Sequence, residues 1–488
     1  MDSLNQVMLQ NVLHVLPELV WCGFGVLLML MQPFVKRRQV LTFVGMIGAA
    51  AGTLVTFVTL TGSGFSGLIQ FDTCSLFFHW LVGLVAFLVI LSSDSYLERE
   101  NLDGAEFYAL ILFATAGMGV LSSAQELLTA FIGLEMSSIA SYILAGYRRD
   151  SVKSSESAMK YFLLGSFATA FFLYGIALVY GVTGSTNLMA LADANGMLLR
   201  LGLTLILVGL AFKVAAAPFQ IWTPDVYEGA PTPVTALFSA GPKAATFALL
   251  LRIFSTIHAA TDFWFWAFWT LAVLTMFVGN LGALVQNNVK RMLAYSSIAH
   301  AGYVLVAFAA VTFVRMDPQA VAPAYASVLF YLASYSLVSV GAFTIVSEIG
   351  GQGERYLTYD DYAGLGTRQP FAAAALSLFL LSLLGLPITA GFFGKLYIFT
   401  AAIKSKLIWL AVLMAINSVI GAYYYFRLIV MMYMRDYKGV VPADTSRGLS
   451  PTAAMVVVVT AVITLYLGLA PNHILGIVLS QPLMLSAR

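Results

Sequence analysis

Long apolar stretches alternate with short polar ones along the whole chain, and the alternation predicts the architecture. A helix that crosses a hydrocarbon core needs about 20 predominantly apolar residues. Stretches of that order occur at 14–34, 39–60, 74–93, 105–122, 126–146, 159–181, 201–222, 232–254, 264–285, 292–312, 323–347, 371–402, 407–433 and 451–470. They predict an all-α polytopic membrane protein with about fourteen transmembrane helices, folded as a single transmembrane domain over 1–488. Positions 1–13 carry no Lys or Arg, so the first stretch reads as a retained span and not as a signal peptide. The apolar tail after Pro471-Asn472 is short and predicts an interfacial segment. The longest polar stretch, 348–370, predicts a loop.

Two of the predicted spans are interrupted. The seventh contains Lys213-Val-Ala-Ala-Ala-Pro218, where proline has no N–H to offer the carbonyl of Val214. The twelfth contains Gly385-Leu-Pro387-Ile-Thr-Ala-Gly391-Phe-Phe-Gly394-Lys395. Each is the fourth span of a group of five, spans 4–8 (105–254) and spans 9–13 (264–433). An odd number of spans turns the second group upside down relative to the first. The spacing therefore predicts two inverted five-helix repeats with a midplane transport site at broken helices 7 and 12. The opening spans (1–122) precede this pair, and a C-terminal span with its tail (451–488) follows it.

Composition narrows the class. About 60% of the 488 residues are hydrophobic and 10% are charged, where a soluble domain carries roughly 25% charged. This excludes a disordered chain, a nucleic-acid binder and an ordinary soluble enzyme. Cys22 and Cys74 form no CxxC and offer no disulfide framework, haem site or iron–sulfur motif.

The cations set the orientation. With the Lys36-Arg37-Arg38 loop in the cytoplasm, alternation places Arg99, Arg148, Arg149, Lys153, Lys290, Arg291, Arg355, Arg368, Arg435, Lys438 and Arg447 on the same side, fourteen cations in all. Six fall opposite: Arg200, Arg252, Arg315, Lys404, Lys406 and Arg488. The N-terminus is then outside. Trp264, Trp266 and Trp269 open a span, as interfacial anchors do.

Five cations remain within spans, and each near a span centre costs about 2.5–3.5 kcal/mol on insertion scales. Glu135, in Phe131-Ile-Gly-Leu-Glu-Met-Ser-Ser-Ile-Ala, is the one acid near the centre of any span. It reads as a proton acceptor, or as a group that tunes a lysine by pairing with it, against a static ion pair. Lys213 and Lys243 lie mid-way along adjacent spans joined by a short connector and so share a depth. A desolvated lysine can release its proton near neutral pH, and a nearby carboxylate opposes the release. Lys395 follows the second break by about two turns, where exposed backbone can hold water. Lys160 lies four residues after Glu156. An interfacial i,i+4 pair and a pairing with Glu135 are equally supported. His300, in Tyr295-Ser-Ser-Ile-Ala-His300-Ala-Gly-Tyr303, is suited to relay protons or simply to bond a carbonyl or hydroxyl. Arg427 reads as snorkelling. His79, Glu18 and Glu126 sit nearer span ends and read as interfacial. The connector Trp222-Thr-Pro224-Asp225-Val-Tyr-Glu228-Gly-Ala-Pro231-Thr-Pro233 is dense in turn formers and reads as a solvated loop.

Three stretches carry a resemblance. They are 222–234, Asn288-Val-Lys-Arg-Met-Leu-Ala-Tyr-Ser-Ser-Ile-Ala-His-Ala-Gly-Tyr303, and Gly385 to Lys395. Over nearly its whole length the chain resembles the antiporter-like subunit N family of respiratory complex I, the proton-pumping NADH:quinone oxidoreductase, which is related to Mrp-type antiporter subunits. The resemblance implies fourteen spans, inverted repeats and a hydrated midplane line of charges. By motif position Glu135, Lys213, Lys243 and Lys395 match the family's essential charges, and Lys160 matches a modulating lysine. It also implies no redox centre or NADH site in this chain; FMN, iron–sulfur clusters and quinone belong to other subunits. The implied partners are other membrane subunits of complex I, including neighbouring antiporter-like subunits, with protons moved and the lipid bilayer around them. The implied location is a bacterial cytoplasmic (inner) membrane. Two positions depart from the family. Gln220 stands where histidine is common, which removes support for a histidine relay there. Pro242 directly precedes Lys243 and predicts a kink that displaces it.

The leading functional reading is a proton-translocating complex I subunit using a relay of Glu135, Lys213, Lys243, His300 and Lys395, with Lys160 modulating it. The alternative is a stand-alone or Mrp-type cation/proton antiporter. A passive assembly subunit is disfavoured, because midplane charges would cost insertion energy without a role. The direction of transfer and the exit are left open by the sequence.

Overall fold

The computed structural model describes residues 2–192, 194–314, 318–437 and 448–472. Arg315, Lys438, Arg447, Arg488 and the expected interfacial segment beyond residue 472 lie outside the described residues. The helices are α1 (Asp2–His14), α2 (Leu16–Met31), α3 (Arg38–Val55), α4 (Thr73–Arg99), α5 (Ala105–Ser123), α6 (Leu127–Ala145), α7 (Val152–Thr183), α8 (Met197–Val214), α9 (Thr223–Gly229), α10 (Thr232–Thr256), α11 (Thr261–Leu284), α12 (Val289–Val314), α13 (Pro318–Ile349), α14 (Leu365–Arg368), α15 (Pro370–Leu384), α16 (Ala390–Lys404), α17 (Ile408–Met434) and α18 (Pro451–Leu469). One hairpin, Gly62–Gly64 with Ile69–Phe71, joins α3 to α4.

Among the described residues twelve helices are long and apolar enough to cross a membrane. A thirteenth span arises if α1 and α2, bent by 75° at their junction, act together. The expected twelfth span is α15 and α16, fifteen residues each. At 1.5 Å per residue each is about 22 Å long, short of a hydrocarbon core of about 30 Å.

Local chemistry sets the boundaries. The Asp72 carboxylate accepts from the Ser75 N–H at 2.8 Å and starts α4, filling one of the donors a helix N-terminus leaves open. Gly184 and Gly385, both left-handed, stop α7 and α15. Both predicted breaks are present. α8 ends at Val214 and its cap Ala215 has φ 61°. Between α15 and α16, Ile388 has φ 78°. Non-glycine residues there cost on the order of 1–3 kcal/mol each and persist only where packing over-determines them. α10, by contrast, runs through Pro242 as one helix.

Burial ranks the helices. The membrane window of α13 is entirely buried, and those of α10 and α12 are 94% buried. α3, α7, α11, α17 and α18 are 33–39% buried. The inner three thus form the axis, and α10 and α12 carry Lys243, Lys290 and His300.

Several polar readings change. The stretch 348–370 contains the turns Gln352–Glu354 and Tyr359–Tyr362 besides α14. It is stitched to the bundle by Val289 N–H to Leu357 O at 2.7 Å. Lys290, expected in a loop, is fully buried against Glu354 at 2.7 Å. The connector after the first break contains α9 rather than being loop throughout. Arg252, placed among the cations of the opposite side at the end of the eighth span, is inside α10 and paired with Asp72 at 2.7 Å. Of the three tryptophans, Trp264 is buried and Trp266 exposed. Arg427 reaches the end of its span as expected, bonding Asn287 at 3.0 Å and lying over the Tyr359 ring.

Candidate functional site

Lys213, Lys243 and Lys395 share one property. Among the described residues none has a carboxylate within ion-pair distance; each is held by hydroxyl or carbonyl oxygens. Lys213, at the last turn of α8, donates to Ser138 Oγ at 2.7 Å and Tyr142 OH at 3.1 Å. Its ammonium lies 5.2 and 5.7 Å from the ring centroids of Tyr142 and Tyr161, within cation–π range. Lys243 on α10 makes a short bond to Ser297 Oγ and a second to the Ser297 carbonyl at 3.2 Å. Lys395 donates to the carbonyl of Leu384 at 2.9 Å and lies 4.8 Å from the Tyr303 ring. Leu384 ends α15, so Lys395 takes up a carbonyl freed by the break. Gly385 makes this possible: a Cβ there would meet Lys395 Cδ at 3.1 Å.

Glu135 is half-buried on α6 and accepts from Thr169 Oγ1 on α7 at 2.9 Å. It does not pair with Lys213. Ser138 and Tyr142 follow it by three and seven residues, so the three share a helix face. Glu135 and the two hydroxyls that hold Lys213 are thus on one helix, without direct contact between the two charges. It also lies on the side of α6 where Ile132 and Ile139 are exposed, facing away from the axis.

Lys213 and Lys243 are separated by packed rings. Tyr161 stacks on Trp222 at 4.5 Å, and Trp222 meets Tyr227 at 6.3 Å. Lys243 in turn lies 5.7 Å from the Tyr227 ring. Trp222 is pinned by its Nε1–H to Phe212 O at 2.9 Å. Gln220, at the family's histidine position, has a buried Oε1 with no hydrogen-bond partner among the described residues.

His300 lies one turn after Ser297 on α12. Its Nδ1 bonds Tyr331 OH at 2.6 Å and its Nε2 bonds Tyr425 OH at 3.1 Å. Tyr425 OH also bonds Ser296. A cleft beside His300 is lined by Tyr331, Ser334, Tyr335, Ser382 and Gly391, so the histidine faces the second break.

Lys160 goes elsewhere. It contacts Glu156 and Asp225, both at 2.6 Å, and no pairing with Glu135 is present. Asp225 also meets Arg291 at 2.6 Å, Arg291 meets Glu228 at 3.0 Å, and Glu228 meets Lys153 at 3.0 Å. Five of these six charges, all but Lys160, line a surface cleft at the foot of α7, α9 and α12. Burial pushes the Asp225 carboxyl up, but hydrogen bonds from Lys160 and Arg291 outweigh it and hold the group below the ordinary carboxylate range. Lys153 and Arg291 do the same for Glu228.

Ser138, Tyr142, Thr169, Ser297, Tyr331 and Tyr425 were missed as site residues by sequence reasoning. The spacing from Glu135, and the position of Ser297 three residues before His300, were the available signals. Glu18 and His79, read as interfacial and unconnected, are both buried in the bundle and lie 2.7 Å apart.

This arrangement defines an antiporter-like polytopic membrane protein. The transmembrane family described as NADH:quinone oxidoreductase/Mrp antiporter matches residues 124–421. The NADH-quinone oxidoreductase subunit N 1 of Solibacter usitatus is 47% identical, with 96% of each chain covered. A chain of respiratory complex I from Thermus thermophilus is 37% identical, covers 94% of this chain and 98% of its own, and superimposes with a TM-score of 0.79. A chain of the Mrp complex from Dietzia sp., 20% identical and covering 97% and 96%, shares the fold with a TM-score of 0.83. The chain belongs to the subunit N family of NADH-quinone oxidoreductase, the proton-translocating, antiporter-like membrane subunits of complex I.

Proposed function

We propose that this subunit moves protons through a midplane relay in which Glu135, Lys213, Lys243, His300 and Lys395 carry charge. The carrying observation is that each lysine is bonded to neutral oxygens and none to a carboxylate. A buried ammonium with a fixed counter-ion is locked in its charged form; one held by hydroxyls gains and loses a proton as the local field changes. Glu135, facing out of the bundle, receives a charge change from a neighbouring antiporter-like subunit. Its effect reaches Lys213 over two turns of α6. Ser297 serves Lys243, and the tyrosines around His300 lead towards Lys395. The aromatic wall between Lys213 and Lys243 makes their coupling a field effect or a gated transfer rather than a direct proton hop.

In this reading α5–α10 and α11–α17 are the inverted repeats. The chain holds no redox centre; FMN, iron–sulfur clusters and quinone lie in other subunits. The Lys36–Arg38 loop faces the cytoplasm of a bacterial inner membrane. Lys160 is a surface partner of Asp225 that steadies the α7–α9–α12 end, not a relay member. The test is Glu135→Gln and Lys213→Ala in the assembled complex. Each is expected to cut NADH-driven proton pumping at least tenfold while the complex still assembles. Full pumping in either variant overturns the relay.

A further inference from the structure

One buried titratable cluster has no part in that relay. It lies in α2, α4 and α5, near the hairpin. His79 Nε2 and Glu18 Oε1 are 2.7 Å apart, with the histidine fully buried and the glutamate 5% exposed. His79 Nδ1 is 2.7 Å from the Ser75 carbonyl. A carbonyl only accepts, so Nδ1 carries the hydrogen. The contact of Nε2 with a carboxyl oxygen then requires a proton between them. It comes from either an imidazolium or a protonated carboxyl, and the pair is neutral in both cases.

The site is built around this pair. Trp21 stacks on His79 and Phe71 meets it edge-on at 5.0 Å. At Gly119 a Cβ would lie 2.9 Å from Glu18 Oε1 and 3.0 Å from His79 Nε2, so the glycine clears the space. The second oxygen, Glu18 Oε2, is buried without a hydrogen-bond partner among the described residues. The pair thus shares one proton and leaves a further acceptor open. It is also tied to the lysine axis. Arg252 donates to Ser122 O at 2.6 Å and to Ser75 Oγ at 2.6 Å, and both serines flank His79. Arg252 lies nine residues after Lys243 on the same helix, about 13 Å along its axis. The other titratable or charged groups on the surrounding elements are Cys22, Asp72, Cys74 and Arg252.

We propose that Glu18 and His79 form a proton-holding station on the hairpin side of the membrane, outside the two repeats, that participates in translocation rather than only clamping α2 to α4. The step is a simple exchange: the shared proton leaves Glu18 or His79 for water, and another returns from the relay side. It rests on the reading of this subunit as a proton carrier. Glu18→Gln separates the two roles. Its amide keeps the length and donates to Nε2, preserving the clamp, but it cannot carry the proton. In complex-bearing vesicles E18Q is expected to assemble and to lose at least fivefold in pumping, with the loss varying with pH on the hairpin side. His79→Gln is the second variant and is expected to behave alike. E18Q pumping within twofold of wild type, or failure of both variants to assemble, overturns the proposal. Lys213→Ala is measured alongside. Normal pumping there sinks the relay reading instead, whereas loss in K213A with full pumping in E18Q sinks only this station.

Discussion

Ser297→Ala tests the step nearest the axis. The hydroxyl makes a short bond to the Lys243 ammonium, and the Ser297 carbonyl makes the other contact at 3.2 Å. Alanine removes the first and keeps the second, along with the helix. A hydrogen bond to a charged group is worth about 1.5–3 kcal/mol. At 1.36 kcal/mol per decade of rate, losing it in the transfer step slows pumping roughly 10- to 150-fold. The carbonyl still orients the lysine, so the lower part of that range is expected. NADH-driven acidification of inverted vesicles, normalised to assembled complex, reads the rate. Ser297→Thr keeps the hydroxyl and is expected to retain most of the activity. S297A pumping at the wild-type rate would show that Lys243 does not transfer through this hydroxyl.

Three further outcomes follow from the same geometry. Lys160→Ala removes a partly exposed surface pair and is expected to cost about 0–1 kcal/mol of stability with pumping reduced less than threefold, unlike Lys213→Ala; equal losses in the two would return Lys160 to the relay. Glu354→Ala removes the carboxylate that pairs with the fully buried Lys290 side chain and accepts from Thr232 N–H and Oγ1 and is expected to cost about 3–5 kcal/mol, seen as lowered thermal stability in detergent, while replacing both residues by methionine recovers only the part due to the unpaired ammonium. Asp225 and Glu228 titrate below their ordinary values, so their stabilisation is complete above the unfolded carboxylate pKa of about 4 and is lost as the pH falls through the lower folded values; melting midpoints are expected to drop over that acid window, and less so in a D225N/E228Q double variant.

The sequence by itself determined the long spanning helices, the two breaks and the family. Apolar run length is a one-dimensional property, because a helix in lipid must satisfy its backbone within its own span. Proline and glycine act on their own residues, so the breaks at Pro218 and Gly385 were readable too. Charges within spans stand out for the same reason, which placed Glu135, Lys213, Lys243 and Lys395 in view. Their partners were not readable. A membrane helix that is hydrophobic on all sides carries no stripe to say which face looks inward, and serines and tyrosines such as Ser138, Ser297 and Tyr425 are commonplace in composition. Lys160 illustrates the limit: its neighbour Glu156 was visible four residues away, but Asp225, 65 positions on, was brought to it only by the packing of α9. Glu18 and His79, 61 positions apart, read as interfacial because depth along a helix was inferred from span ends. Only the tertiary structure decided that they are buried together, since burial of a polar group is set by the helices that close around it.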